Sequence, residues 1–215
     1  MLFRAMAALA PLLALGCASA ERAAALRDPD HPLWSRPAPE SFRVRFETSK
    51  GEFVVESRRA WAPIGVDRFH HLVETGYFDD SRFFRVLEGF IAQFGIAGDP
   101  AVSNVWRDRA IPDDPVVQSN LRGYLAYAMT GPDTRTTQIY INLVDNVRLD
   151  AQGFAPIGRV VEGMEVVDAL YSGYGESAGG GVRAGRQDRM FAEGAAHLDA
   201  DYPNLDRILR ARIER

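Results

Sequence analysis

The chain has 215 residues, 47% of them hydrophobic, and a formal net charge of −4, which suits one globular domain and excludes a disordered or collagen-like chain. Lys50 is the only lysine beside 24 arginines and lies in a turn without a phosphate-loop pattern, so we set Schiff-base and Walker-type chemistry aside. The arginines are scattered among acidic residues, which argues against a nucleic-acid partner.

Residues 1–20 are typical of an export signal, because Arg4 precedes an apolar run that ends in small residues and is too short to span a bilayer. The alanine pair at 18 and 20 fits ordinary cleavage before Glu21. The residues around Gly16 and Cys17 instead resemble a bacterial lipobox, and we favour it because the only cysteine ends the apolar run. Either route predicts a periplasmic protein of the bacterial cell envelope, and the lipobox adds a lipid anchor through Cys17.

The segment 21–40 contains four prolines and no repeating apolar face, which predicts a proline-rich tether between the export signal and the folded domain. The domain itself is expected at residues 41–172. Residues 173–215 are expected to form a glycine-rich loop and then a C-terminal helix that packs on the domain. The apolar residues on one face of this predicted helix are Leu205, Ile208, Leu209 and Ile213.

The pattern within residues 41–172 indicates many short strands and two helices. Alternating apolar residues on both sides of a turn at 49–51 predict a β-hairpin. One helix is predicted from Pro63 to Gly76 and a second from Met164 to Tyr171. These elements favour a mainly β fold, a closed or nearly closed antiparallel barrel with helices over its ends. Further strands are expected at Phe83–Leu87, Phe90–Phe94, Tyr124–Met129, Gln138–Asn142 and Ala155–Val161.

Metal and nucleophile chemistry find little support in the sequence. His70 and His71 are adjacent in the first predicted helix, where neighbouring side chains diverge by about 100°, so we do not expect them to share a metal ion. No serine lies in a GxSxG motif, and no cysteine lies in the folded part. We therefore predict no metal, no cofactor and no covalent nucleophile.

The most distinctive stretch is 76–93. Two predicted strands there bring Arg85, Phe90 and Gln93 to one surface, because alternation along a strand aims a guanidinium and an amide beside an aromatic ring. The pattern alone leaves an alternative open, in which Phe90 belongs to the core while Arg85 and Gln93 are ordinary surface residues. Most other arginines are expected to be solvated at the surface.

A resemblance to a known family bears on this alternative. Residues 83–93, FFRVLEGFIAQ, are similar to the signature FHRVIxGFxxQ of cyclophilin-type peptidyl-prolyl cis-trans isomerases. The likeness continues in the right order through 131–134, 137–141, 149–150 and 153–164. The resemblance implies an eight-stranded antiparallel barrel capped by two helices, and an enzyme that isomerises Xaa-Pro bonds without a cofactor.

The same resemblance implies roles for individual residues. Arg85 matches the catalytic arginine of the family and Gln93 its active-site glutamine. Two further groups are implied to bind the substrate, one around the proline ring and one along the peptide backbone. The first group is Phe90, Ile91, Tyr140, Leu149 and Phe154, and the second is Ala128 and Met129.

Several positions depart from the family pattern. Phe84 and Phe154 replace histidines, Ile91 replaces a methionine, Tyr140 a phenylalanine, and Arg148 a tryptophan found in many eukaryotic members. Because the changes at 84 and 154 remove polar groups, a catalytically weak peptide-binding module of the cell envelope stays open as an alternative. A lipocalin-like barrel around a small apolar ligand is another. The main prediction is an isomerase acting on proline-containing segments of exported proteins.

Overall fold

The computed structural model describes residues 20–178 and 187–214. Eight short strands carry the fold, and each register between neighbouring strands is antiparallel. All seven strands predicted from the pattern are present. The strands are β1 Ser41–Thr48, β2 Gly51–Arg58, β3 Arg85–Leu87, β4 Ile91–Phe94, β5 Tyr124–Tyr127, β6 Ile139–Asn142, β7 Pro156–Glu162 and β8 Ile208–Ile213.

The strands form one sheet in the order β3-β4-β6-β5-β7-β2-β1-β8, which curls into a half-barrel. The edge strands β3 and β8 are not paired with each other as strands. Instead, three backbone hydrogen bonds of 2.8–2.9 Å join residues 80–83, just before β3, to residues 206–208 at the start of β8. The predicted mainly β fold of eight antiparallel strands is confirmed, and its closure rests on these loop contacts.

Six α-helices and three short 3-10 helices surround the sheet among the described residues. The two predicted helices are present, and the longer one begins at Pro63, where a missing N–H costs nothing. None of the described helices is long and apolar enough to cross a membrane. The α-helices are α1 20–27, α2 Pro63–Glu74, α3 Pro100–Trp106, α4 Met164–Asp168, α5 Asp188–Glu193 and α6 Ala195–Asp201, and the 3-10 helices are Pro32–Ser35, Arg59–Trp61 and Val147–Gln152.

The interior of the half-barrel is filled by aromatic side chains. Phe46 stacks on Phe53 with 4.8 Å between ring centroids, and Phe94 contacts Phe46 edge-on. Phe69 of α2 covers them, and all four side chains are 1% exposed or less. A barrel that binds a ligand inside needs an open interior, so this packing contradicts the lipocalin-like alternative.

The segment predicted as a tether, 21–40, packs on the domain instead. Helix α1 and the 3-10 helix Pro32–Ser35 lie within it, and Leu33 is only 2% exposed. The Trp34 ring contacts the ring of Trp106 in α3, with 4.2 Å between centroids. A few apolar residues without periodicity are enough to dock a segment on an apolar surface, which a search for periodicity does not detect.

The predicted C-terminal helix over 203–213 is wrong, because β8 occupies this part of the tail. Strand β8 pairs with β1 in a register that places Ala211 opposite Phe46 and Ile213 opposite Val44. The unpaired edge of β1 offers backbone hydrogen bonds that outweigh the helical spacing of the apolar residues. The domain therefore extends beyond residue 172. The export-signal residues 1–19, with Cys17, and residues 179–186 of the predicted loop lie outside the described residues.

Candidate active site

The candidate site lies on the outer face of the sheet, opposite the aromatic interior. Along β4, Ala92 and Phe94 point into the interior core, whereas Ile91 points to the outer face. Tyr140 of β6 belongs to the same outer cluster as Ile91, and Gln93 lies opposite Tyr140 in the strand register. The two-residue period of the strands therefore separates the site from the core.

Arg85 and Gln93 lie opposite each other on β3 and β4, so their side chains share one face. Arg85 Nη1 donates to Gln93 Oε1 at 3.2 Å, and Gln93 Nε2 donates to Gln138 Oε1 at 3.0 Å. The two residues are only 5% and 7% exposed. The chain of hydrogen bonds fixes the direction of the guanidinium, and it contradicts the alternative that both residues are ordinary surface residues.

An apolar cavity of about 620 Å³ opens beside Arg85, on the outer face of the sheet. The guanidinium carbon of Arg85 lies 5.7 Å from the centre of the Phe90 ring. A charged donor and an apolar pocket therefore border the same space. All nine residues predicted to act on the substrate line this cavity: Arg85, Phe90, Ile91, Gln93, Ala128, Met129, Tyr140, Leu149 and Phe154.

A buried hydrogen-bond network holds the far wall of the cavity in place. The Tyr140 hydroxyl donates to Asn120 Oδ1 at 2.9 Å, and burial raises the pKa of Tyr140, so the hydroxyl keeps its proton. The Asn120 side-chain amide donates at 2.8 Å to both Asp150 Oδ1 and the Phe154 carbonyl oxygen. Asn120 is fully buried and was not predicted, because it lies outside every motif that the sequence offered.

Comparisons with known proteins agree with this geometry. Residues 43–189 match the family model described as cyclophilin type peptidyl-prolyl cis-trans isomerase/CLD. The chain belongs to this family. It is 32% identical over 151 residues to peptidyl-prolyl cis-trans isomerase A of Dickeya dadantii, covering 65% of this chain and 76% of that protein. It is also 32% identical over 136 residues to isomerase B of Escherichia coli, covering 59% and 82%.

Solved structures agree on the fold. A Cryptosporidium parvum cyclophilin type peptidyl-prolyl cis-trans isomerase superposes with a TM-score of 0.58 at 19% identity, covering 81% of this chain and 98% of that one. The resemblance inferred from residues 42–171 is thus confirmed at the level of the family. The chain is an enzyme of the peptidyl-prolyl cis-trans isomerase class.

One departure from the cyclophilin pattern lies away from the cavity. Phe84 is 1% exposed and packs with Met190 and Phe191 of α5 and Leu198 of α6. The expectation that Phe84 takes a polar group out of the site is therefore wrong, because this ring anchors the helices inserted between α4 and β8. The replacement at Phe154 does reach the site, where its ring meets Tyr140 edge-on at 5.8 Å.

The segment after α4 adds a carboxylate to this cyclophilin site. Glu176 Oε1 accepts from Arg85 Nη2 at 2.7 Å and from Nε at 3.2 Å, while half of the Glu176 side chain stays exposed. Arg148 also lines the cavity, and its guanidinium lies 4.8 Å from the Phe90 ring centre. Glu176 was missed because it lies in the glycine-rich stretch, where no family motif applies.

The cyclophilin resemblance implies that the backbone of Ala128 and Met129 binds the substrate, but one of the backbone donors is not free to do so. The Ala128 amide donates to the Gln138 carbonyl oxygen at 2.9 Å, so that N–H is already engaged within the sheet. Ala128 and Met129 both border the cavity. A peptide bound there would meet the surface of these two residues, and the Ala128 N–H would not be its partner.

Outside the cavity, the expected divergence of the two adjacent histidines is wrong. The Nδ1 atoms of His70 and His71 lie only 3.4 Å apart, and His71 Nδ1 lies 3.2 Å from Glu74 Oε2. The angle of about 100° between neighbouring residues describes where side chains leave the helix backbone. Rotation about the side-chain bonds then brings both rings together at the last turn of α2. Glu74, four residues after His70 and three after His71, lies on the same helix face and supplies a carboxylate that the sequence pattern did not indicate.

Proposed function

We propose that this cyclophilin isomerises Xaa-Pro bonds in proteins exported to the bacterial cell envelope. The observation that carries the proposal is the placement of the Arg85 guanidinium, held by Gln93, at the edge of an apolar cavity. An arginine in that position can act on the amide of a proline whose ring occupies the cavity. No covalent step, metal or cofactor enters the reaction.

The chemical task is rotation about a peptide bond. Uncatalysed isomerisation takes tens to hundreds of seconds, because rotation breaks the resonance that keeps the amide planar. In the twisted transition state the imide nitrogen regains a lone pair. A donor that bonds to this nitrogen, or to the proline carbonyl oxygen, stabilises the twisted form more than either planar form.

Arg85 is the catalytic donor in this proposal. Its planar guanidinium keeps its proton and its direction, which a lysine ammonium does not. One charge-assisted hydrogen bond formed only in the transition state contributes about 1.5–3 kcal/mol, or roughly ten- to hundredfold in rate. Gln93 orients the guanidinium, while Phe90, Tyr140 and Phe154 hold the proline ring so that one side of the bond rotates.

The destination of the protein is a separate part of the proposal. Residues 1–20 favour export, and Cys17 is proposed to carry a lipid that anchors the protein in the envelope. The mass of the mature protein tests this. An acylated N-terminal cysteine supports the anchor, whereas an unmodified N-terminus at Glu21 rejects it.

A second candidate function is a peptide-binding module with little turnover. It is favoured by the ion pair with Glu176, which already occupies two donors of the Arg85 guanidinium. An NMR exchange or protease-coupled assay on an Xaa-Pro peptide separates the two functions. The isomerase proposal expects turnover by the wild type and a loss of about tenfold or more in Arg85→Ala. Peptide binding without turnover in the wild type favours the module.

A further inference from the structure

Three potential metal ligands converge at the C-terminal turn of α2, on the side of the domain covered by the segment 21–40. They are His70 Nδ1, His71 Nδ1 and Glu74 Oε2. Their separations are 3.4 Å between the two nitrogens, 3.2 Å from His71 to Glu74 and 4.0 Å from His70 to Glu74. We propose that these three residues bind a zinc ion.

The distances fit zinc closely. A triangle with sides of 3.2, 3.4 and 4.0 Å has a circumscribed radius of about 2.1 Å, within the 2.0–2.2 Å range of zinc–nitrogen and zinc–oxygen bonds. One point, close to the plane of the three atoms, therefore lies at bonding distance from all of them. A tetrahedral site needs the 4.0 Å separation between His70 and Glu74 to shorten, which rotation of either side chain allows. Two imidazoles and a carboxylate form a donor set that suits zinc, with water at the fourth position.

The hydrogen bond on the far side of His71 orients the ring for this role. His71 Nε2 lies 2.8 Å from the carbonyl oxygen of Arg36, which can only accept. The hydrogen of neutral His71 is therefore on Nε2, and the lone pair of Nδ1 faces His70 and Glu74. A backbone carbonyl that holds the second ring nitrogen is the usual support of a metal-bound histidine.

The surroundings leave the ligand atoms available. Arg22 pairs with Oε1 of Glu74 at 3.2 Å, so Oε2 remains directed at the two histidines. The ring of Phe42 packs edge-on against His70 at 4.8 Å between centroids. The side chains of His70 and Glu74 are 13% and 26% exposed, which gives an ion a route from solvent, while that of His71 is 4% exposed.

The other occupant of this space is a proton. Protonated His71 donating to Glu74 satisfies both groups without a metal. In α6, His197 Nδ1 likewise lies 3.1 Å from a carboxylate oxygen of Asp201, four residues later. That pair has a histidine and a carboxylate but not the second imidazole found in α2. It therefore serves as a matched control inside the same chain.

The test is calorimetric titration of zinc chloride into the full chain, made without a histidine tag and stripped with a chelator. The proposal expects one zinc per chain with a dissociation constant in the micromolar range or tighter. Glu74→Gln and His70→Ala are expected to weaken binding at least tenfold, while His197→Ala binds zinc as the wild type does. Zinc is also expected to raise the Tm of the wild type and of His197→Ala, but not that of the two ligand variants.

Three outcomes overturn the proposal: zinc binding weaker than millimolar, ligand variants that bind like the wild type, or a wild-type Tm that zinc does not change. Melting each variant without zinc shows whether it is folded. Glu74→Gln keeps the size of the side chain and decides the question if His70→Ala fails to fold.

Discussion

Arg85 and Arg135 are both buried arginines with carboxylate partners, yet their surroundings differ in a way that separates function from stability. Arg135 is 1% exposed and bonds to Asp114, whose side chain is equally buried. Arg85 is 5% exposed, lines an open cavity and pairs with Glu176, whose side chain is half exposed. A partner at the surface can be exchanged for a substrate, whereas a partner in the interior cannot.

The largest expected effect is on stability, at Arg135. Arg135 Nη1 and Nη2 each lie 3.0 Å from Asp114 Oδ2, and Asp113 lies 3.2 Å from Nε. Removing the guanidinium in Arg135→Ala leaves the buried carboxylate with two backbone N–H donors but without an opposite charge, and should lower the free energy of unfolding by about 3–5 kcal/mol. Denaturant unfolding measures this loss.

The matched control for that variant is a pair at the surface. Arg43 bonds to Glu162 at 3.2 Å, and both side chains are about half exposed. Arg43→Ala is expected to cost less than about 1 kcal/mol. Equal losses in the two variants would mean that burial does not set the strength of these ion pairs.

Which arginines are buried could be predicted from the sequence only in part. The motif singles out Arg85, but the expectation that most other arginines are solvated does not distinguish Arg82 and Arg135, which are 3% and 1% exposed. Burial of an arginine depends on carboxylates that are distant in sequence, such as Asp199 for Arg82, 117 residues away. Local periodicity contains no information about such partners.

The elements of the fold likewise fall into two groups, those that local sequence patterns predict and those that depend on distant parts of the chain. Seven strands and two helices followed from alternation and spacing, because those elements bury one regular face. The strand β8 and the packed segment 21–40 did not, because both gain their stability from surfaces formed elsewhere in the chain. Within the site, the family resemblance supplied the nine predicted residues that line the cavity, while Asn120 and Glu176 lie outside its motifs.

The next largest effect is expected at the wall of the cavity. Asn120→Ala removes hydrogen bonds to Asp150, Phe154 and Tyr140 and should lower the free energy of unfolding by about 1–3 kcal/mol. KM should also rise, because the proline pocket loosens. Tyr140→Phe deletes a single hydroxyl and is expected to cost about 1 kcal/mol with little change in kcat. If Asn120→Ala costs no more than Tyr140→Phe, the network does not support the pocket.

A smaller effect is expected at the partner of Arg85. Glu176→Gln removes a negative charge that competes with the substrate for the guanidinium, so kcat/KM should rise about two- to fivefold, as fits a half-exposed ion pair. Glu88→Gln is the control, because Glu88 bonds to Ser172 of the same segment. An unchanged or lower kcat/KM in Glu176→Gln would show that the ion pair does not compete with the substrate.

The smallest expected effect is a pH dependence at Asp150. Burial disfavours the Asp150 carboxylate, but hydrogen bonds from Ser119 and Asn120 outweigh burial and hold its pKa below the ordinary value. A lowered pKa means that the carboxylate stabilises the fold above the ordinary pKa of about 3.9 and loses that contribution as the pH falls. The stability difference between wild type and Asp150→Asn should therefore shrink from pH 5 towards pH 3. A stability difference that grows as the pH falls would contradict a lowered pKa of Asp150 in the folded protein.

The most direct test of the difference between Arg85 and Arg135 uses the Arg85→Ala variant. It measures kcat/KM on an Xaa-Pro peptide and, separately, the free energy of unfolding of the variant. We predict that kcat/KM falls about ten- to hundredfold while the free energy of unfolding stays within about 1 kcal/mol of the wild type, since Glu176 returns to solvent. Undiminished turnover in folded Arg85→Ala would contradict the catalytic role of Arg85.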